Sequence, residues 1–207
     1  MASNSYSIFL KEEAGQKVFE FGGTRFHFLS NSNFKRLDGV EKYSALIVFR
    51  PEGKRNYAPL ITHGAVGSLG VNESEGFSSY FSADMGITLD ANNRKVEYPT
   101  AYFDQFNTYT GVFDGTKNLN SNQFTTYING EKKGIVKIQP DRKVTPLSGA
   151  MRIGNYRSNA NWQNNYSYDG DIAEVVLFDE VLSQEQISAL TNYFNIKYGR
   201  VKACTMP

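Results

Sequence analysis

The chain has 207 residues, 40% hydrophobic and 14% aromatic, enough to bury roughly 70% of its unfolded surface in one large core. Its 22 Lys and Arg against 21 Asp and Glu leave a formal net charge of +1, which excludes polyanion binding driven by counterion release and so argues against nucleic acid as a partner. With one cysteine, Cys204, neither an intrachain disulfide nor a Cys/His zinc cluster can be built from this chain alone.

The N-terminal stretch MASNSYSIFLKEE has an apolar run of only Ile8, Phe9 and Leu10. That is short of a secretory core or a membrane span, so a soluble chain without membrane insertion is expected. Short β-branched and aromatic runs follow between Gly, Asn and Asp clusters: KVFEF (17–21), RFHFL (25–29), YSALIVF (43–49), APLITH (58–63), GFSSYFS (76–82) and GITLDA (86–91). The series continues with TYTGVF (108–113), QFTTYI (123–128) and KGIVKI (133–138). Many short strands with regular turn signals predict an all-β antiparallel sandwich and not a parallel βαβ array. Asn129-Gly130 predicts a two-residue type I′ hairpin, because both central residues need positive φ. The basic pairs Lys132-Lys133 and Arg142-Lys143 flank turns and read as solvated loops.

Next in the chain, NYRSNANWQNNYSYD (155–169) holds the only tryptophan, Trp162, together with Tyr156, Arg157, Asn164, Tyr166 and Tyr168. Aromatic faces stack on sugar C–H groups and amides serve sugar hydroxyls, so these six residues form the candidate glycan-binding set. The competing expectation is that such aromatics pin the loop to the sandwich or face a neighbouring subunit.

The segment SYDGDIAEVVLF (167–178) then sets Asp169, Asp171 and Glu174 at the mouth of an apolar run. On a regular strand Asp169 and Asp171 share a face and Glu174 takes the other, so a catalytic trio requires a bulge between 171 and 174. Regular alternation puts Ala173, Val175 and Leu177 on one side and Ile172, Val176 and Phe178 on the other, a strand buried on both faces. Finally, Ser183 with Gln186 three residues on predicts a capping box, Leu182 with Ile187 a hydrophobic staple, and 184–198 a helix. Its apolar stripe is Ile187, Leu190, Phe194 and Tyr198, and Gly199 ends it.

Other chemistry is thin. His27 and His63 lie in strand-like runs and read as structural. VGSLG (66–70) lacks the first glycine of a nucleophile elbow, and no phosphate-cradling Gly-Lys-Ser/Thr loop occurs.

The second half of the chain resembles the laminin-G-like, concanavalin A-like jelly-roll domains found in lectins, adhesins, pentraxin relatives and phage virion or tail proteins. The matching residues are GVFDG (111–115), TTYINGEKKG (125–134), MRIGN (151–155), YDGDIAEVVLFDEVLSQEQISAL (168–190) and NYFNIKYG (192–199). The resemblance implies an antiparallel two-sheet jelly roll with one C-terminal α-helix, a single domain over 1–207 with 200–207 as a tail. In its non-catalytic members GDIAE is a structural signature, whereas the glucanase relatives carry glutamates at both outer carboxylate positions, where this chain has Asp169 first. It also raises Ca2+ as a cofactor, with Asp169 and Asp171 as candidate ligands, although no EF-hand-like loop specifies it. The function expected is non-catalytic, lectin-like recognition of a glycan or cell-surface polysaccharide, outside the cell or on a virion surface, with other virion proteins or a second copy as further partners. A structural decoration or assembly module and a jelly-roll glucanase are the alternatives, since fold alone does not carry function.

Overall fold

The computed structural model describes residues 8–13, 15–22, 29–31, 42–52, 58–63, 77–81, 86–91, 94–99, 105–114, 116, 124–136, 151–154 and 168–199. Its strands are β1 (Phe9–Glu13), β2 (Gln16–Gly22), β3 (Leu29–Asn31), β4 (Lys42–Pro51), β5 (Ala58–His63), β6 (Phe77–Phe81) and β7 (Gly86–Ala91). They continue with β8 (Arg94–Pro99), β9 (Asn107–Asp114), β10 (Phe124–Ile128), β11 (Glu131–Val136), β12 (Met151–Ile153) and β13 (Asp169–Phe178), and one helix follows, α1 (Gln184–Lys197). One sheet has the order β1-β2-β13-β4-β9-β10-β11, the other β3-β12-β5-β6-β7-β8. Every strand pairing is antiparallel. The all-β sandwich with a C-terminal helix is therefore the observed architecture.

The strand β4 explains why a continuous apolar run belongs here. It is flanked by β13 and β9, and its side chains are buried from Tyr43 to Phe49. Tyr43, Ala45, Ile47 and Phe49 point into the core between the sheets, with Phe21, Tyr109 and Ile128 from the same sheet and Leu60 and Ile61 from the other. Leu46 and Val48 point the opposite way, under α1, with Val18, Phe106, Phe194 and Tyr198. A strand covered on both faces has no solvent side, and hence no polar alternation.

At the other end of that layer, α1 docks as its sequence directs. Ser183 accepts from the Gln186 N–H at 3.2 Å and the Gln186 side chain accepts from the Ser183 N–H at 2.7 Å, completing the capping box. Leu182 and Ile187 share one apolar cluster with Val112 and Tyr127. The Ser44 hydroxyl fixes the approach to the helix, donating to the Glu180 carbonyl at 2.8 Å and accepting from the Leu182 N–H at 3.0 Å. The Asn129-Gly130 turn has φ of 54° and 79°, as a type I′ hairpin needs. Asn129 further accepts from the Thr108 N–H at 2.9 Å, tying the turn to β9.

Three strands lie outside the sequence expectation, and β12, only three residues long, is paired between β3 and β5. β1, FLKEE, has three charges in five residues and is followed by Gly15 at φ 73° before it pairs with β2. β8, RKVEYP, carries three charges and a proline. Both are edge strands, where charge and proline discourage pairing with another chain and weaken the alternation that marks interior strands. Among the described residues no helix is long and apolar enough to cross a membrane.

Candidate functional site

The five residues GDIAE, 170–174, each meet a different physical demand. Gly170 has φ 137°, and a Cβ there would lie 2.2 Å from the Arg50 carbonyl oxygen and 2.9 Å from the Glu52 nitrogen. Only glycine lets β13 approach β4 this closely. Asp171 is fully buried, and its carboxylate is held by Lys11 Nζ at 3.0 Å on one oxygen and by the Arg50 guanidinium on the other. Ile172 enters the core between the sheets.

Ala173 is a bulge. Ile172 stands opposite Phe49 and Glu174 opposite Val48, so two residues of β13 face one step of β4. The regular alternation expected from the sequence is thereby corrected. Ala173, Val176 and Phe178 pack under α1, while Ile172, Val175 and Leu177 face the other sheet. The bulge also carries Glu174 to the helix side, where its Oε1 accepts from the Tyr198 hydroxyl at 2.9 Å and pairs with the Lys197 ammonium.

Asp171 and Glu174 therefore do share a face, the condition set for a carboxylate pair, but each is already neutralised. Arg50 also donates to Glu13 at 2.8 Å, and Lys11 reaches Glu20 at 3.2 Å and Glu52 at 3.5 Å. Burial alone would lower the Lys11 ammonium, yet Asp171 and Glu20 hold it above its usual range. Burial pushes the Asp171 carboxyl up, against the pull of Lys11 and Arg50. Burial, with the Glu174 hydrogen bond, likewise pushes the Tyr198 phenol up, keeping it a neutral donor. The guanidinium lies 5.2 Å over the Phe106 ring, which in turn packs 4.8 Å from Tyr198. A continuous chain of contacts thus runs from β1 to the end of α1.

This arrangement does not suit calcium. Both oxygens of Asp171 are occupied by cations, whose charges oppose a divalent ion, so Asp171 is corrected from a candidate ligand to the centre of an ion-pair network. Asp169 opens β13, half-buried, with its carbonyl accepting from the Glu52 N–H at 3.0 Å. Among the described residues no group of three or more His, Cys, Asp or Glu is placed to hold a metal.

Of the glycan-binding candidates, Trp162, Tyr156, Arg157, Asn164 and Tyr166 lie outside the described residues, as do His27, the VGSLG segment and Cys204. Tyr168 is described, and it is corrected. It is wholly buried, its ring packs edge-on to Phe21 at 6.1 Å, and its hydroxyl donates to the Asp171 carbonyl at 3.2 Å. A phenol enclosed in this way offers no face to a sugar. Instead it anchors the stem of the segment. The Tyr168 N–H donates to the Gly154 carbonyl at 2.9 Å, and the Gly154 N–H donates to Leu60 at 3.2 Å. Gly154, at φ 84°, leaves room for Phe21, whose ring would lie 2.3 Å from a Cβ there. Gly154, directly after β12, and Tyr168, directly before β13, are thus hydrogen-bonded neighbours that link the two sheets.

Sequence reasoning missed Lys11, Arg50, Lys197 and Tyr198 as partners of these carboxylates. Arg50 carried a signal, because an arginine ending the apolar run ALIVF predicts a buried or half-buried acid nearby. Lys11 carried none, since Asp171, the buried carboxylate it pairs with, is distant in sequence.

A sandwich of two antiparallel sheets with this strand-to-helix ending defines a jelly-roll domain. The sequence model of the concanavalin A-like lectin/glucanases superfamily matches residues 29–188, and the chain belongs to that superfamily. A search of curated proteins found no match to this chain. Among solved structures it is similar to a heptameric SAP-like pentraxin from Limulus polyphemus, with TM-score 0.65 and 17% identity over 87% of this chain and 84% of that one. It is also similar to the binding domain of botulinum neurotoxin serotype G, with TM-score 0.63 and 14% identity over 94% of this chain and 48% of that one. A third similarity is to Trypanosoma rangeli sialidase in complex with a covalently bound difluorosialic acid intermediate, with TM-score 0.64 and 11% identity. That match covers 88% of this chain and only 28% of the sialidase. At these identities the likeness is one of fold.

Proposed function

We propose that this chain is a non-catalytic carbohydrate-binding domain, displayed outside the cell or on a virion surface, with a phage virion or tail as its setting. The reading rests on one observation: the carboxylates of the GDIAE strand are committed to cations. A glycosidase needs an acid beside the scissile bond and a second carboxylate open to the sugar. Asp171 has the raised titration that suits an acid, but it is fully buried behind Lys11 and Arg50. Glu174 is held by Lys197 and Tyr198. The strand therefore fastens hairpin, sheet and helix together, and recognition falls to another part of the surface.

The segment 155–167 is our candidate for that part. Its stem is fixed by Tyr168 and Gly154, and its sequence combines Trp162, Tyr156 and Tyr166 with Arg157 and Asn164. A rigid stem lowers the entropy cost of presenting such side chains to a ligand. Membership of a superfamily of lectins and glucanases supports a glycan as the partner. The test pairs glycan-array or cell-wall binding with thermal melting for Trp162→Ala. Lost binding at an unchanged melting temperature is the expected result. Undiminished binding removes the segment from the functional account, and a wild type that binds no glycan favours a structural decoration module. Capsid and tail genes beside this one would support the virion setting.

A further inference from the structure

We infer that Asn129 is a site of spontaneous deamidation that the native fold seals, so that the reaction marks chains whose β10–β11 hairpin has come away from β9. Asn129 is the one asparagine of the chain that precedes a glycine. Such a pair is reactive because glycine has no side chain to shield its backbone nitrogen. Hydroxide removes the Gly130 amide proton, and the bared nitrogen bonds to Asn129 Cγ. The Cγ–Nδ2 bond breaks, and Nδ2 leaves as ammonia with a proton from water. Water then opens the cyclic succinimide at either carbonyl, giving aspartate or isoaspartate.

Backbone geometry decides whether the ring can form. It closes only where the Gly130 nitrogen lies on the Cβ side of the Cα–C bond, at a ψ of about −120°, the value that a type II′ turn gives its first central residue. The φ of Asn129, 54°, is common to types I′ and II′, and Gly130 separates them. Its φ of 79° belongs to type I′, whereas II′ requires a negative value. In type I′ the ψ of the first central residue is about +30°, which swings the nitrogen to the side away from Cβ. Of the two tight turns open to Asn-Gly, the fold holds the unreactive one.

The side chain is pinned as well. Asn129 Oδ1 accepts from the Thr108 N–H at 2.9 Å, while the Asn129 N–H donates to the Thr108 carbonyl at 2.8 Å. The amide oxygen thus stands in for a backbone carbonyl and extends the β9–β10 ladder one pair beyond Ile128 and Tyr109. Asn129 Nδ2 donates to Asn107 Oδ1 at 3.2 Å, and the buried Asn107 donates to the Gln105 carbonyl at 2.8 Å. From α1, Gln184 donates to the Gly130 carbonyl at 3.0 Å, holding the residue whose nitrogen would have to turn. Because β9 is an interior strand, the reactive geometry is reached by unfolding and not by fraying of an isolated turn.

The product does not fit the same place. Aspartate replaces the Nδ2 donor with an acceptor facing the Asn107 oxygen. Isoaspartate routes the main chain through Cβ and Cγ, lengthening a turn whose register pairs Ile128 with Glu131. A reacted chain therefore returns to a less stable fold, and unfolding leaves a chemical record.

The test incubates the full chain at mildly alkaline pH across a series of urea concentrations, with mass spectrometry of the peptide that holds Asn129. Without urea, deamidation is expected to be at least about tenfold slower than in the unfolded chain, because the unfolded fraction is small. Through the transition the rate should rise in step with the unfolded fraction read by far-UV circular dichroism. A native rate within about tenfold of the unfolded one overturns the seal. A rate that reaches its unfolded value before the transition begins overturns the coupling to unfolding, and an unfolded chain that does not react at Asn129 overturns the site itself.

Discussion

Gly170 shows how one residue decides whether the strand β13 can be built. At φ 137° an L side chain is strained, and a Cβ would sit 2.2 Å from the Arg50 carbonyl oxygen, a backbone atom that cannot swing aside. Gly170→Ala is therefore expected to destabilise the fold by at least about 2 kcal/mol, read as a lower midpoint in urea. A change below about 0.5 kcal/mol would mean that β4 and β13 separate at this point more easily than their pairing implies. Gly154 faces a gentler version of the same constraint, because the atoms it would meet belong to the Phe21 ring. Tyr168 teaches the complementary lesson. In sequence it groups with Tyr156, Trp162 and Tyr166, yet its ring and hydroxyl are both used inside the sandwich.

Among the elements, β1 is attached differently from the rest. Its apolar residues Phe9 and Leu10 are 56% and 57% exposed, so little core burial holds it. The backbone ladder to β2 does, together with the Lys11 and Arg50 ion pairs. The Arg50 hydrogen bond holds the Glu13 carboxyl below its ordinary value of 4.5. A carboxyl lowered in the folded state stabilises it at pH above the unfolded value, and that contribution disappears as pH falls through the lowered one. The stability difference between wild type and Glu13→Gln should thus be present at neutral pH and vanish in acid. With a third of the Glu13 side chain exposed, it should stay under about 1 kcal/mol and shrink with salt. A difference that persists unchanged at pH below the carboxylate range would show that Glu13 acts through packing and not through charge.

At the scale of the whole molecule, one core joins the two sheets. Leu60, from the sheet that lacks α1, is fully buried against Ile47, Phe49 and Tyr109 of the other. Leu60→Ala should cost about 2–5 kcal/mol, and far-UV circular dichroism and aromatic fluorescence should report one shared transition. Separate transitions in the two signals would mean that the sheets unfold independently.

The sequence by itself determined the fold class, the strands with clear apolar runs, the type I′ turn and the capped helix. Each of these is encoded within a few adjacent residues, as Asn129-Gly130 and Ser183 with Gln186 illustrate. It left β1, β8 and β12 unread, because the first two are charged edge strands and the third has only three residues, so pairing supplies the order that their own patterns lack. Only the tertiary structure decided the meaning of the carboxylates. The Ala173 bulge is defined by the register against β4, and it reverses which side chains share a face. Lys11 and Arg50 reach Asp171, and Lys197 reaches Glu174, from positions far away along the chain. Whether a carboxylate is a catalyst, a metal ligand or a rivet depends on the charges and burial around it, and those are properties of the packed molecule, not of the local sequence.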